Sequence, residues 1–180
     1  ESRKKEGLLR NWGDRSYRWW YLGDWATPKG INQKDPQSID IVSNCVLSES
    51  YLTMSKIANV LGYKADADEY LQKHKSQNQL IHKTFFDNGT KSYSSGTQID
   101  IVYPMFVGAT PQSEIDNVEK SLWARTIEQF KGHLATGLVG IPIITQWATR
   151  EGKAEEMYQM LKKREYPGYL YMIDNGADLT

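Results

Sequence analysis

The sequence predicts an all-α protein built from antiparallel helical hairpins. Apolar residues recur at helical spacing along most of the 180-residue chain, and turns of a few residues to about a dozen separate the predicted helices. Some helices are apolar on several sides and others on a single face, and the two kinds alternate. This alternation indicates two layers, in which inner helices are packed on all sides and outer helices are exposed on one side.

The first predicted hairpin begins at Asp35 and Pro36, a capping residue followed by the residue best suited to the first helical position. Its first helix is expected from about Gln37 to Leu61, apolar on more than one face and closed by Gly62. A second helix, about Ala65 to Phe86, carries one apolar stripe opposite Lys, Gln and Asp residues. These features indicate an inner helix followed by an outer one.

The second predicted hairpin starts with a broadly apolar helix over about Gln98 to Val107. Pro104 predicts a kink or an early break in it, because proline removes a helical hydrogen bond. Thr110 and Pro111 are expected to cap and open a striped helix that ends near Lys131. This hairpin therefore repeats the order of an inner and an outer helix.

The third predicted hairpin has an apolar helix over about Ile141 to Arg150 and a striped helix over about Lys153 to Arg164. Pro167 ends the striped helix, and Tyr169 to Asn175 are expected to form an extended or turn segment. Six helices are thus predicted within residues 35–180. Residues 1–34 are predicted to be an aromatic-rich loop segment.

Composition excludes several classes of protein. Acidic and basic residues balance at 22 each, so no overall field attracts nucleic acid or an anionic membrane. No apolar run is long enough to cross a bilayer. Cys45 is the only cysteine, which excludes a disulfide framework and a thiolate metal site and predicts a buried structural thiol. His74 and His82 lie two helical turns apart, too far to share a metal ion.

The most distinctive segment runs from Trp12 to Trp25 and holds four of the six tryptophans with two aspartates and two arginines. Such residues suit a sugar, because ring C–H groups stack on indole and hydroxyls bond to charged partners. They also suit a hydrophobic core, which composition alone favours. Gly23, Asp24 and Trp25 favour the binding hypothesis, since a glycine lets the backbone approach closely to a pocket faced by carboxylate and indole.

His133 opens a glycine-punctuated loop at residues 133–140, between two predicted helices. Two interpretations of this histidine stand. It anchors or caps the loop, or it contacts a substrate.

Four separated motifs occur in one order along the chain. They are Leu22–Pro28 with G-D-W, Ile57–Gly62 with I-A-N-V-L-G, His133–Gly140 with H-L-A-T-G-L-V-G, and Tyr166–Ala177 with Y-P-G-Y-L-Y-M-I-D-N-G-A. In this order they resemble motifs of the bacterial α-L-rhamnosidases of glycoside hydrolase family 78. The resemblance extends from about Trp12 to Thr180. It implies an (α/α)₆ toroid of twelve helices, of which this chain is about half, a partial catalytic domain.

The resemblance implies an inverting glycoside hydrolase that removes terminal α-L-rhamnose from a glycan or glycoside without metal or organic cofactor. One carboxylic acid protonates the leaving oxygen and a second carboxylate activates water, at a separation of about 6.5–9.5 Å. The resemblance places the acid upstream of Glu1 and the base in a G-A-T-T-x-W-E motif. Here Asp178 and Leu179 replace the threonines, and the chain ends at Thr180.

Neither catalytic carboxylate is therefore expected within these residues. The chain begins with Glu1 rather than methionine, which predicts a fragment or a processed product. The isolated chain is expected to be inactive. A half toroid is also expected to expose inner helices, which favours self-association.

The resemblance implies a sugar-binding wall rather than a catalytic centre. Trp25 is expected to stack on rhamnose, and Asp24 is expected to bond to sugar hydroxyls or to orient a neighbouring group. The other candidates for substrate binding are Trp19, Trp20, His133 and Tyr171.

Two hypotheses from other classes remain. A helical glycan-binding module with no hydrolytic role would lose sugar binding on Trp25→Ala. A helical protein-interaction scaffold would bind no sugar, and its Trp12–Trp25 segment would be packed into the core.

Overall fold

The helices of the protein follow the predicted apolar periodicity. The computed structural model describes residues 4–10, 23–28 and 36–177. Seven α-helices lie within those residues: α1 (Pro36–Val60), α2 (Lys64–Phe85), α3 (Gln98–Phe106), α4 (Ile115–Glu128), α5 (Gly140–Arg150), α6 (Ala154–Leu161) and α7 (Tyr169–Asp174). The all-α class is confirmed. No helix in these residues is long and apolar enough to span a membrane.

Two pairs of short antiparallel strands accompany the helices. Strand β1 (Lys4–Lys5) pairs with β2 (Leu8–Leu9), and β3 (Phe86–Asp87) pairs with β4 (Ser92–Tyr93). The side chain of Asn44 on α1 accepts a hydrogen bond from the backbone N–H of Leu9 at 2.9 Å and donates one to its carbonyl at 2.8 Å. The β2 strand is therefore attached to α1.

The helices form the predicted inner and outer layers. Helix α3 contacts both α1 and α5, whereas α2, α4 and α6 each pack against the helix that precedes them. Residues 98–105 of the nine-residue α3 are all buried. In α4 the buried residues are only Val118, Leu122 and Thr126, one stripe at a spacing of four. A helix surrounded by neighbours needs apolar residues on all sides, whereas an outer helix needs one stripe.

The inner helices run in the same direction, because an antiparallel outer helix separates each from the next. Contacts near their first turns agree with this, since Ser38 near the start of α1 donates a hydrogen bond to Asp100 in the first turn of α3 at 2.6 Å. The N-terminal ends of α1, α3 and α5 therefore meet at one end of the molecule. The opposite end carries the turn from α1 to α2, where Val60 is 88% exposed.

Cys45 lies in the core, as predicted. It is fully buried, and this burial raises the pKa of its thiol well above the ordinary value. His74 is also buried, with its Nδ1 atom 2.9 Å from the hydroxyl of Ser48. Asn78 completes this polar group between α1 and α2 by accepting from the Ser48 hydroxyl at 2.5 Å. The prediction that Cys45 is a buried structural thiol is confirmed.

Helix α3 spans nearly the range that the sequence predicts. It ends at Phe106, with Pro104 inside it, and the carbonyl of Pro104 accepts from the backbone N–H groups of Ala109 and Thr110. The predicted range of about Gln98 to Val107 is confirmed to within one residue, whereas the helix does not break at Pro104. The prediction of a cap at Thr110 is wrong, because its hydroxyl accepts a hydrogen bond from the Tyr93 hydroxyl at 3.0 Å. A 3₁₀ turn follows, and α4 begins only at Ile115.

The prediction of an extended or turn segment after Pro167 is also wrong. Residues Tyr169–Asp174 form the short helix α7, so six predicted helices were one too few. The guanidinium of Arg164 holds the end of this helix by donating to both carboxylate oxygens of Asp174 at 2.7 Å. Six residues are too few for an apolar period to show, which is why the sequence pattern missed this helix.

Candidate functional site

Three predicted site residues, Asp24, Trp25 and His133, lie at the end where the inner helices begin. Gly23 lies against the first turns of α1, where a Cβ atom on the glycine would be 3.1 Å from Cγ1 of Ile39, at a φ of +61°. Few other residues adopt this conformation without strain. Glycine therefore allows the Gly23–Trp25 segment to cross the end of α1 in close contact.

Asp24 joins this segment to the loop at residues 133–140. Its side chain is buried, with one oxygen accepting from the N–H of Gly137 at 2.7 Å and the other from the N–H of Gly140 at 2.8 Å. Gly140 is the first residue of α5, where helical N–H groups lack partners within the helix. Asp24 therefore caps an inner helix that lies more than a hundred residues further along the chain.

Two opposing effects act on the pKa of Asp24. Burial raises the pKa, because the charged form is poorly solvated, while the N–H groups of Gly137, Gly140 and Val139 lower it; the net shift is upward. Both carboxylate oxygens already accept hydrogen bonds from the loop. This geometry supports the second of the two predicted roles, in which Asp24 orients a neighbouring group.

Trp25 follows Asp24 and is 54% exposed. Its carbonyl accepts a hydrogen bond from the N–H of Leu138 at 2.7 Å. A Cβ atom at position 137 would lie 2.0 Å from that same carbonyl oxygen, so only glycine permits this approach. The indole is thus presented to solvent from a backbone that is fixed against the loop.

Gln98 holds the same loop from the other side, and sequence analysis missed it. Its side-chain nitrogen donates to the carbonyl of His133 at 3.0 Å, and its side-chain oxygen accepts from the N–H of Ala135 at 2.8 Å. The nitrogen also donates to the hydroxyl of Thr126 at 3.0 Å. The available signal was an uncharged polar side chain at the first position of an inner helix whose other residues, apart from Asp100, are apolar or aromatic.

His133 is buried within this arrangement. Among the described residues, its Nδ1 atom has no hydrogen-bond partner, and the same is true of the buried hydroxyl of Thr136. Burial lowers the pKa of His133, Lys163 lowers it further and Glu165 opposes them. A neutral, buried histidine fits the loop-anchoring interpretation through its main chain, which bonds to Phe130 and Gln98.

Tyr171 lies on α7, where its ring packs edge-to-face against Tyr166 at a centroid distance of 5.8 Å. Its carbonyl accepts from the backbone and the side chain of Asn175. These contacts lie in α7 and next to it, in the last helix of the described residues. Trp19 and Trp20, the remaining candidates, lie outside the described residues.

A second buried carboxylate, Asp100, lies at this end and was not predicted. One of its oxygens accepts from the Ser38 hydroxyl, and the other accepts from the hydroxyl of Ser95, both at 2.6 Å. Burial raises its pKa to about 6, against hydrogen bonds from Ser38, Ser95 and Thr97 that lower it. Because Asp100 is fully buried, it links the first turns of α1 and α3 and does not face solvent.

No group of three or more His, Cys, Asp or Glu side chains placed to hold a metal ion occurs in the part of the chain that the structure describes. The arrangement consists instead of an exposed indole on a glycine-rich frame that Asp24 and Gln98 fix through hydrogen bonds. An exposed aromatic ring on a rigid frame is suited to stacking on the apolar face of a sugar.

Comparison with known proteins agrees with the motifs and the fold. Residues 2–180 match the model of the bacterial alpha-L-rhamnosidase 6 hairpin glycosidase domain. The chain belongs to this family. Among curated proteins, an alpha-L-rhamnosidase of an Alteromonas species is 28% identical over 166 residues, which are 88% of this chain and 18% of that protein. One from Formosa agariphila is 26% identical over 87% of this chain and 17% of its own length.

Solved structures of alpha-L-rhamnosidases contain the same arrangement of helices. The structure from Dictyoglumus thermophilum matches 87% of this rhamnosidase-family chain with a TM-score of 0.79 and 29% identity, over 18% of its own length. That from Streptomyces avermitilis, complexed with L-rhamnose, matches 97% with a TM-score of 0.77 and 23% identity, over 15% of its own length. The chain thus spans less than a fifth of these relatives.

Proposed function

We propose that the protein containing this rhamnosidase-family domain removes terminal α-L-rhamnose from a glycan or glycoside. The observation that carries this proposal is the junction between Gly23–Trp25 and the loop at residues 133–140, in which Asp24 fixes the backbone and leaves the indole of Trp25 exposed. Relatives named alpha-L-rhamnosidase, and one structure complexed with L-rhamnose, supply the identity of the sugar.

In the proposed mechanism, the bond breaks with inversion. A carboxylic acid protonates the leaving oxygen while a carboxylate on the opposite face of the sugar activates water. Both groups need contact with substrate or water. The buried carboxylates near this end instead accept hydrogen bonds from the protein itself, Asp24 from the loop at residues 133–140, Asp100 from Ser38 and Asp40 from Arg10. Because these carboxylates already accept hydrogen bonds from the protein, they are poorly placed to act on substrate or water. This supports the proposal that the present residues bind sugar and that neither catalytic carboxylate is among them.

Trp25→Ala is expected to weaken the binding of L-rhamnose by the 180-residue chain, because stacking on the indole supplies the main apolar contact. The stacked aromatic ring contributes about 0.5–1.5 kcal/mol in addition to its buried area, so its loss weakens the affinity by about two- to thirteenfold or more. Isothermal titration calorimetry with methyl α-L-rhamnoside measures the change without relying on the fluorescence of the indole that the substitution removes.

Tyr63→Ala is the matched control for this substitution, since Tyr63 is 61% exposed in the turn between α1 and α2, at the opposite end. Binding should be unchanged in this variant. Equal binding by Trp25→Ala and the unmodified chain would contradict the proposed sugar-binding wall.

The purified 180-residue chain is expected to release no product from an aryl α-L-rhamnoside, because it is proposed to lack both catalytic carboxylates. Absorbance of the released phenol measures the reaction. A blank preparation from cells without the expressed chain identifies background hydrolysis. Activity above that background would refute the proposed absence of the acid and base.

The second candidate is a glycan-binding module with no hydrolytic role. It is favoured by the same observation, that the carboxylate oxygens of Asp24 and Asp100 accept hydrogen bonds from the protein. It predicts the same effect of Trp25→Ala on binding. The two candidates differ in one measurement, hydrolysis of the aryl rhamnoside by the longer protein that contains this domain, which only the hydrolase predicts.

A further inference from the structure

Leu138 is a second exposed apolar residue, and its backbone is hydrogen-bonded to that of Trp25. Leu138 is 57% exposed and Trp25 is 54% exposed, and the N–H of Leu138 donates to the carbonyl of Trp25 at 2.7 Å. These two residues are therefore joined by a backbone hydrogen bond, and the large apolar side chain of each is exposed to solvent. Exposed apolar residues on a rigid loop favour a contact with a ligand over a packing role.

The exposure of Leu138 is imposed by its neighbours. The loop residues from His133 to Gly137 are buried, as is Gly140. Asp24 bonds to the N–H groups of Gly137 and Gly140, which lie on either side of Leu138 in the sequence. The Leu138 backbone cannot turn inward while these bonds hold. Its side chain is therefore already exposed before a ligand binds, and binding does not cost the entropy of ordering the loop.

The chemistry of the proposed substrate requires one apolar contact besides the indole. L-rhamnose is a 6-deoxy sugar, so it carries a methyl group where L-mannose carries a hydroxymethyl group. An indole that stacks on the ring C–H groups does not distinguish these two sugars. An apolar side chain at the methyl group does, because the added hydroxyl would lose its hydrogen bonds to water there.

We propose that Leu138 contacts the C6 methyl group of the bound sugar and sets the preference for L-rhamnose over L-mannose. This assignment rests on the proposed function, since it places the sugar on the exposed indole of Trp25. Leu138 would be a specificity-determining residue with no part in proton transfer. Its main effect should appear in the ratio of the two affinities, which a merely structural role would not change.

The test is a titration of the 180-residue chain with methyl α-L-rhamnoside and with methyl α-L-mannoside. Leu138→Ala should weaken rhamnoside binding about fourfold, the factor that one buried methyl group supplies, and should leave mannoside binding nearly unchanged. Leu138→Asn should lower the ratio further, because its amide can bond to the 6-hydroxyl. The matched control is Val60→Ala, which also truncates an exposed apolar side chain. Val60 is 88% exposed at the opposite end of the molecule, so this variant should change neither affinity.

Circular dichroism and thermal unfolding establish that each variant is folded. An unchanged ratio in both Leu138 variants, with binding still weakened in Trp25→Ala, would overturn the role of Leu138 and leave the proposed function intact. Failure of the folded, unmodified chain to bind either sugar would overturn the proposed sugar-binding wall and the role of Leu138 with it.

Discussion

Gly137→Ala is expected to destabilise the chain by about 3 kcal/mol, the upper end of the range of about 1–3 kcal/mol for overpacking, because the atoms it meets cannot move aside. The added Cβ would lie 2.0 Å from the carbonyl oxygen of Trp25, 2.8 Å from its carbonyl carbon and 3.0 Å from the N–H nitrogen of Thr27. All three are backbone atoms, so a side-chain rotation cannot relieve the contact. The loop and the Gly23–Trp25 segment must separate.

Separation would also break the hydrogen bond from the Leu138 N–H to the Trp25 carbonyl. We therefore expect Gly137→Ala to weaken sugar binding as well as stability. Urea unfolding measures the free energy of unfolding, and titration with methyl α-L-rhamnoside measures the sugar binding.

The matched control for this substitution is Gly89→Ala. Gly89 is exposed in the turn between β3 and β4, and a Cβ there would meet only a side-chain oxygen of Asp87, at 3.2 Å. That variant should stay within about 1 kcal/mol of the unmodified chain. Equal stability of the two alanine variants would mean that the close approach of Gly137 to Trp25 is not required.

Asp24→Ala is expected to cost about 2–4 kcal/mol of the free energy of unfolding, because it leaves the N–H groups of Gly137 and Gly140 without their acceptors. A buried donor that loses its partner costs about 1–3 kcal/mol, and two donors depend on this one carboxylate. Removing the desolvated charge offsets part of that cost, since burial raises the pKa of Asp24.

Asp24→Asn distinguishes this geometry from a simple effect of charge. Asparagine keeps one acceptor but turns an NH₂ group towards an N–H donor, so it should restore little of the lost stability. Hydrogen exchange at the Gly137 and Gly140 amides should accelerate in both variants. A full rescue by asparagine would contradict the two-oxygen arrangement.

Asp116→Ala is the control for helix-end charge. Asp116 is an exposed acidic residue in the first turn of α4, where loss of a favourable interaction with the helix dipole costs about 0.3–1 kcal/mol. If Asp24→Ala cost no more than this control, Asp24 would not be holding the loop.

The sequence indicates the two segments that form the site but not the contact between them. The motifs around Asp24 and His133 pointed to two segments, and Gly23 indicated close backbone approach in the first of them. The sequence did not show that the segments meet, because the Asp24–Gly137 contact joins residues 113 positions apart. Helical periodicity carries no information about contacts at that separation, since it reports only which face of a helix is buried.

Gln98 and Leu138 were missed for the same reason. A polar residue at the start of an apolar helix has many local explanations, and only the fold brings Gln98 to the carbonyl of His133 and the N–H of Ala135. An isolated leucine in a loop is equally uninformative. Its exposure is notable only because the residues around it are buried and Trp25 lies at the hydrogen-bonded position.

The sequence by itself determined the helices, their division into inner and outer layers and the family, because local spacing and ordered motifs encode these properties. It misplaced the start of α4, because the Thr110 hydroxyl bonds to Tyr93 instead of capping that helix. It missed α7 because six residues are too few to show an apolar period. Only the tertiary structure decided what Asp24 does. Buried carboxylates require donors, and the fold supplies them from the loop before α5, so Asp24 holds the frame and Trp25 is left to face the solvent.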